Sequence, residues 1–207
     1  AQASGLPWFS YADLPQALDP LAQGYGRKIS ALMSTNAAIP QAQTESYLGV
    51  NMLDLVSQYG IEQADQLFEV DARSAFFPIN TMTALMQNLK PRVVVATNSP
   101  RSERAAITAA RTLGIPSVCM VDLFALQAVG WLASAEYANT YCVLNDRVRA
   151  LFVSNGAPAD AVVVTGNPAF DKLQDRSTRS LGAALRKARG WGDGRRTILY
   201  ASAPETP

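Results

Sequence analysis

The chain has 207 residues, 48% of them hydrophobic and 17% charged, which is apolar material for one large domain or for one domain and part of another. With 18 Lys and Arg against 17 Asp and Glu the net charge is +1, so bulk electrostatics give no reason to expect a nucleic-acid partner. Histidine is absent, which removes the commonest general base, the His-containing nucleophilic triads and most zinc sites; no apolar run approaches the roughly 20 residues of a membrane-spanning helix.

The opening Ala1-Gln2-Ala3 lacks an initiator Met and is expected to be a cut end rather than a processed terminus. Residues 1 to 43 read as irregular. Leu6 to Tyr11 has the composition of a strand end, and Gly24-Tyr25-Gly26 and Ser34-Thr35-Asn36 have that of turns. The Gly-Tyr-Gly stretch lacks the third glycine and the preceding strand of a dinucleotide fingerprint, so it lends little support to nucleotide binding. From 44 to 59, Leu48, Met52, Leu55, Val56 and Tyr59 recur at helical spacing ahead of Gly60 and predict an amphipathic helix. A second helix is expected from about 62 to 76, and Ile79, Met82, Leu85, Met86 and Leu89 define a third that ends before Pro91. Stripes of this kind serve core packing far more often than a partner groove.

After residue 91 the pattern changes. Arg92 to Thr97 is a continuous apolar run of the sort found in strands buried on both faces. Ser99 as N-cap and Pro100 at the first helical position then predict a helix carrying Ala106, Ala109, Ala110 and Leu113, stopped by Gly114 and Pro116, with Ser117 to Val121 as the next strand. Such a strand, helix and strand unit closes right-handed in a parallel sheet. The same grammar returns at Tyr141 to Leu144, capped by Asn145-Asp146 and stopped at Asn155-Gly156. It returns again at Ala161 to Thr165, followed by Gly166-Asn167-Pro168. The expected fold class is therefore α/β: a Rossmann-like parallel sheet of four strands with flanking helices. Cys119 and Cys142 both fall in such strands and are expected to be free, buried thiols. A further helix is predicted from about 178 to 189, and Thr197 to Ser202 looks like the first strand of another unit.

Ligands of an open parallel sheet bind outside the carboxyl ends of its strands, so the loops after Thr97, Val121, Leu144, Thr165 and Ser202 are the candidate site. Asn98, Ser99, Arg101 and Ser102 place an amide, hydroxyls and a guanidinium at a helix N-terminus, where free N–H groups and the dipole favour an anion; the same residues would also serve plain capping. Asp122, directly after a strand, is the candidate catalytic residue, able to orient a sugar hydroxyl or act as a base, or to be a simple turn carboxylate. Asn145 combines a capping role with a candidate ligand contact. Gly166 and Asn167 allow close backbone approach with amides left available. No carboxylate cluster has metal-ligand spacing, so no metal is expected.

Taken together, Lys90-Pro91-Arg92-Val93-Val94-Val95, Gly114-Ile115-Pro116, Val164-Thr165-Gly166-Asn167-Pro168 and Thr197-Ile198-Leu199-Tyr200 resemble the two-Rossmann-domain sugar-nucleotide proteins. These are the GT-B type glycosyltransferases and the related UDP-N-acetylglucosamine 2-epimerases. The resemblance covers roughly residues 85 to 207. It implies that Thr165 to Pro168 mark the passage between two domains, that the cleft between them holds a nucleotide sugar, and that Ser202 and Glu205 lie near that cleft. Residues 1–175 would then be the acceptor-side Rossmann-like domain, helical over 44–89, and 176–207 a linker and the start of a truncated nucleotide-sugar-binding domain. Epimerases of this group carry a His-Arg pair followed by Glu and Asn where this sequence has Ala203-Pro204-Glu205. The expectation is thus the acceptor-side domain of a glycosyltransferase in surface polysaccharide synthesis, inactive as the 207-residue chain alone. Its partners would be a nucleotide sugar, as substrate rather than cofactor, and a carbohydrate acceptor. Its location would be cytoplasmic, with peripheral attachment to the inner membrane face as an option. An epimerase-like enzyme and a non-catalytic small-molecule-binding domain are the alternatives.

Overall fold

The computed structural model describes residues 7–33 and 38–192, the single residues Gly5, Gly194, Arg196, Ile198 and Tyr200, and Gln174 in its backbone only. The chain divides into two units, Ala1–Gly166 and Asn167–Pro207.

The first unit begins irregularly and then turns helical earlier than its sequence suggests. In place of a strand end, Tyr11–Asp13 forms a 3-10 turn, with the Ser10 N–H donating to the Asp13 carboxylate at 2.7 Å. Asp19 accepts the Leu21 N–H at 2.8 Å and Pro20 takes the first position of α1 (Pro20–Leu32). The Gly24-Tyr25-Gly26 stretch therefore lies inside a helix and not in a turn. Its reason is tertiary: α1 crosses α2 (Gln41–Tyr59) so closely that a Cβ on Gly26 would overlap the Glu45 carbonyl oxygen, and one on Gly49 the Ala22 carbonyl oxygen. Ser34-Thr35-Asn36 lies outside the described residues.

The three predicted amphipathic helices are present as α2, α3 (Ile61–Asp71, continued by a 3-10 turn at Ala72–Ala75) and α4 (Ile79–Leu89). Their stripes pack inward: Leu48, Met52 and Leu55 of α2 share a core with Tyr25, Ile29, Ala64 and Phe76. α4 begins after Pro78 without a cap of its own. The buried Asp54 of α2 supplies one, accepting the Thr81 N–H at 2.6 Å and the Asn80 N–H at 3.3 Å, so a carboxylate sits at the positive end of α4.

The expected sheet follows. β1 (Val94–Thr97), β2 (Ser117–Met120), β3 (Thr140–Val143) and β4 (Val162–Val164) are all parallel, in the order β1-β2-β3-β4. α5 (Ser102–Thr112), α6 (Val129–Leu132) and α7 (Asp146–Ser154) connect them. Sequential strand order with right-handed crossovers puts connecting helices on one side of the sheet. Accordingly Ile107, Leu132, Val148 and Phe152 share a core with Cys119, Tyr141, Val143 and Val162. The fold is α/β with a Rossmann-like parallel sheet flanked by helices.

One expectation about this sheet is corrected. Its strands are not covered equally on both faces: Cys119 is buried, but Cys142, one strand over and on the opposite face, is only half-buried. Both cysteines are free.

In the second unit, Asn167 accepts the Ala169 N–H at 2.9 Å and Pro168 opens a 3-10 helix over Pro168–Gln174. Asp175 then caps α8 (Arg176–Ala188), which matches the predicted helix and leaves Leu181 and Leu185 exposed. The predicted strand Thr197 to Ser202 falls mainly outside the described residues. Among the described residues no helix is long and apolar enough to cross a membrane.

Candidate functional site

The carboxyl edge of the sheet in the first unit gathers most of the residues singled out from sequence. Thr97 ends β1 and Met120, its registered partner, ends β2, so the two exit loops run side by side. Asn98 joins them: its side-chain oxygen accepts the Asp122 N–H at 2.6 Å. The Asn98 amide is therefore committed, on its acceptor side, to fixing the start of the Asp122 loop. The Asp122 carboxylate itself is exposed.

Beyond Asp122 the backbone is held in an unusual shape. Leu123 and Ala125 have φ of 44° and 47°, the left-handed region that costs residues with a Cβ on the order of 1–2 kcal/mol each. Strain of this kind persists where neighbouring contacts enforce it, and the Asn98 bond is one such contact. The loop presents Leu123, Phe124 and Leu126 to solvent.

The entry to α5 differs from the sequence reading. Ser99 was expected to cap the helix and Pro100 to open it, but α5 starts at Ser102, with Arg101 as the entry residue. The Ser99 side chain does not cap. Its carbonyl oxygen accepts the Arg104 N–H at 3.2 Å, and the Arg101 carbonyl accepts the Ala105 N–H at 2.9 Å. Pro100 lacks an N–H and biases Ser99 toward extended backbone, so Pro100 and Arg101 are taken up in a turn and the helical ladder begins after them.

Farther along the edge, Asn145 caps α7, accepting the Val148 N–H at 3.1 Å. Gly166 has φ of 76° at the exit of β4, and the N–H groups of Thr165 and Gly166 both reach the Val143 carbonyl, at 3.0 and 3.2 Å. Asn167 belongs to the second unit, where its side-chain oxygen is a cap acceptor. Ser202 and Glu205 lie outside the described residues.

Around the first turn of α5 the fold brings to Ser102, itself legible in the sequence, groups from distant parts of the chain that no sequence pattern marks. The Tyr11 and Ser102 hydroxyls share a hydrogen bond of 2.6 Å across 91 positions. Tyr11 meets Tyr47 edge to face at 5.2 Å, and the Arg104 guanidinium lies 5.4 Å from the Phe77 ring centre and 4.9 Å from that of Trp131. Burial raises the Tyr11 phenol above its ordinary pKa, against the opposing Ser102 hydrogen bond. Burial also raises the Tyr47 phenol, with the Arg101 and Arg73 charges acting the other way. Both phenols are therefore neutral hydrogen-bonding groups at neutral pH. The contributing residues come from five separate stretches of chain, and no local motif connects them.

This edge combines an exposed carboxylate, a guanidinium, hydroxyls and the N-terminal amides of α5, a set suited to an anionic or polyhydroxylated ligand. A shallow cleft of about 190 Å³ lies elsewhere in the same unit, lined by Ala17, Gln23, Arg27, Ala42, Glu45 and Ser46 among others, with no sheet-edge residue. Among the described residues no three His, Cys, Asp or Glu side chains are grouped so as to hold a metal ion. Comparison with family models, with curated proteins and with solved structures finds no match in any of the three.

Proposed function

We propose that the chain is the acceptor-side domain of a glycosyltransferase that uses a nucleotide-sugar donor, in the synthesis of a surface polysaccharide. The observation that carries this reading is the carboxyl edge of an all-parallel sheet at which Asn98 holds the Asp122 loop beside the first turn of α5. In that reading the Asp122 carboxylate accepts the proton of the acceptor hydroxyl as the hydroxyl oxygen attacks the anomeric carbon of the donor sugar, and the bond from that carbon to the diphosphate oxygen breaks, so that the nucleoside diphosphate leaves with the electron pair. Amide and guanidinium donors such as those at Asn98 and Arg101 stabilise negative charge on the ligand. The absence of histidine and the Ala203-Pro204-Glu205 sequence favour transfer over epimerisation.

The test is a calorimetric titration of the 207-residue chain with UDP, a UDP-sugar and inorganic phosphate. The expected result is weak binding that falls about tenfold, equivalent to ~1.4 kcal/mol, in Arg101→Ala with an unchanged melting temperature. Tight retention of binding in that variant, or no binding by the parent chain, contradicts the proposal.

A further inference from the structure

The shallow cleft between α1 and α2 follows from the glycine crossing. Gly26 and Gly49 bring the two backbones so close that a Cβ on either would strike a carbonyl of the other helix. Beside that contact Ala17, Ala22 and Ala42 are too small to fill the angle between the helices, which leaves about 190 Å³. The walls are chemically uneven. Gln23 and Arg27 line the cleft from α1, Glu45 and Ser46 from α2. Arg27 and Glu45 bring opposite charges to one small space, yet among the described residues the Arg27 guanidinium makes no hydrogen bond or ion pair. One Glu45 carboxylate oxygen accepts the Gln41 Nε2 at 2.8 Å, and the other accepts nothing among the described residues. Ser46 Oγ donates to the Ala42 carbonyl at 2.8 Å, and Gln23 Nε2 reaches the Ala17 and Leu18 carbonyls at 3.4 and 3.5 Å. The side-chain oxygens of Ser46 and Gln23 therefore remain as acceptors.

This set of groups matches a small zwitterion. An ammonium group has three N–H donors, and the cleft offers acceptor oxygens from Glu45, Ser46 and Gln23, the first of them charged. A carboxylate takes two parallel bonds from a guanidinium, the group that Arg27 presents unpaired. A singly charged ligand would leave either Arg27 or Glu45 facing it without a counterpart. The size agrees, since about 190 Å³ is less than the roughly 300–1,000 Å³ of clefts that take drug-sized molecules. We propose that the α1–α2 cleft is a binding site for a free α-amino acid with a compact apolar side chain. Its carboxylate lies on Arg27, its ammonium on Glu45 and Ser46, and its side chain against the alanines. The cleft contains no sheet-edge residue, so the proposal stands apart from the reading of the chain as a glycosyltransferase domain.

The probe is L-valine, titrated into the full chain and followed by amide chemical shifts. N-acetyl-L-valine and L-valinamide serve as ligands that each lack one of the two charges. Arg27→Gln and Glu45→Gln remove the protein's charges at an exposed and a half-buried position, and Ala42→Leu, at an exposed position, fills the cleft. L-valine is expected to give saturable shifts at Gln23, Arg27, Glu45 and Ser46. Binding should weaken at least tenfold for either derivative and in each of the three variants, while their circular dichroism and melting stay those of the parent. Binding of either derivative as tight as that of L-valine, or binding of L-valine unchanged in both Arg27→Gln and Glu45→Gln, overturns the proposal. So do saturable shifts confined to residues outside the cleft, or no saturable shift at all.

Discussion

Between α1 and α4 the chain is held by a few contacts that reach far along the sequence: the backbone crossing at Gly26 and Gly49, the Tyr25 hydroxyl donating to Asp65 at 2.8 Å, and Asp54 of α2 capping α4. From β1 to β3 the rules are more local, each strand leading through a loop to the next helix, with Asn145 capping α7 from the adjacent position. The difference teaches where damage concentrates. In the helical region a single small residue can decide whether two helices meet, whereas in the sheet region most single changes remove one cap or one loop contact.

The largest expected effect tests the crossing. Gly49→Ala puts a methyl group against the Ala22 carbonyl, where neither backbone can yield cheaply, and should cost about 3 kcal/mol in urea unfolding. Gly24→Ala, in the same helix as Gly26 but with open space around its Cβ position, should instead stabilise by roughly 0.5–1 kcal/mol. If both alanines act alike, close packing does not explain the glycines and the contrast between the regions fails.

A second test reads the two regions by pH. Burial raises the Cys119 thiol in the sheet core to about 12, and burial with the Asp65 hydrogen bond raises the Tyr25 phenol in the helical core to about 12. For both groups the neutral, protonated form is favoured in the folded state, so their contribution is complete below the unfolded pKa values, near 9 for the thiol and 10 for the phenol, and is lost as pH rises toward 12. Melting temperature should be insensitive to these groups at pH 7 to 8 and fall above about pH 9. Cys119→Ser should shift the onset upward. An onset unmoved by that change would place the alkaline loss elsewhere.

A smaller effect separates a cap from a turn within the sheet region. Asn145→Ala removes an observed helix cap and should cost about 1 kcal/mol, while Ser99→Ala, whose side chain caps nothing, should stay within about 0.5 kcal/mol. Equal losses would restore Ser99 as the cap of α5.

These contrasts also mark what the sequence could disclose. The four strands were legible because apolar runs bounded by Gly, Pro and Asn are local signals, and Asn145 and Asn167 were legible as caps because a cap sits beside the helix it serves. The Gly24-Tyr25-Gly26 helix was not, because its glycines answer to α2, which no local pattern reveals. The α5 entry was misplaced by two residues, since Ser-Pro marks either a helix start or the turn before one. The candidate site was half legible: the loops followed from strand polarity, but the Asn98 to Asp122 bond and the cluster of Tyr11, Tyr47 and Arg104 at α5 depend on residues brought together only by the fold.

The proposed binding of ligand at the carboxyl edge of the sheet is checked by amide chemical-shift mapping of the 207-residue chain titrated with a UDP-sugar. The largest shifts are expected at Asn98, Ser99, Arg101, Asp122 and Asn145. Shifts confined to the α1–α2 cleft at Gln23, Arg27 and Ser46, or no shifts at saturating ligand, would contradict it.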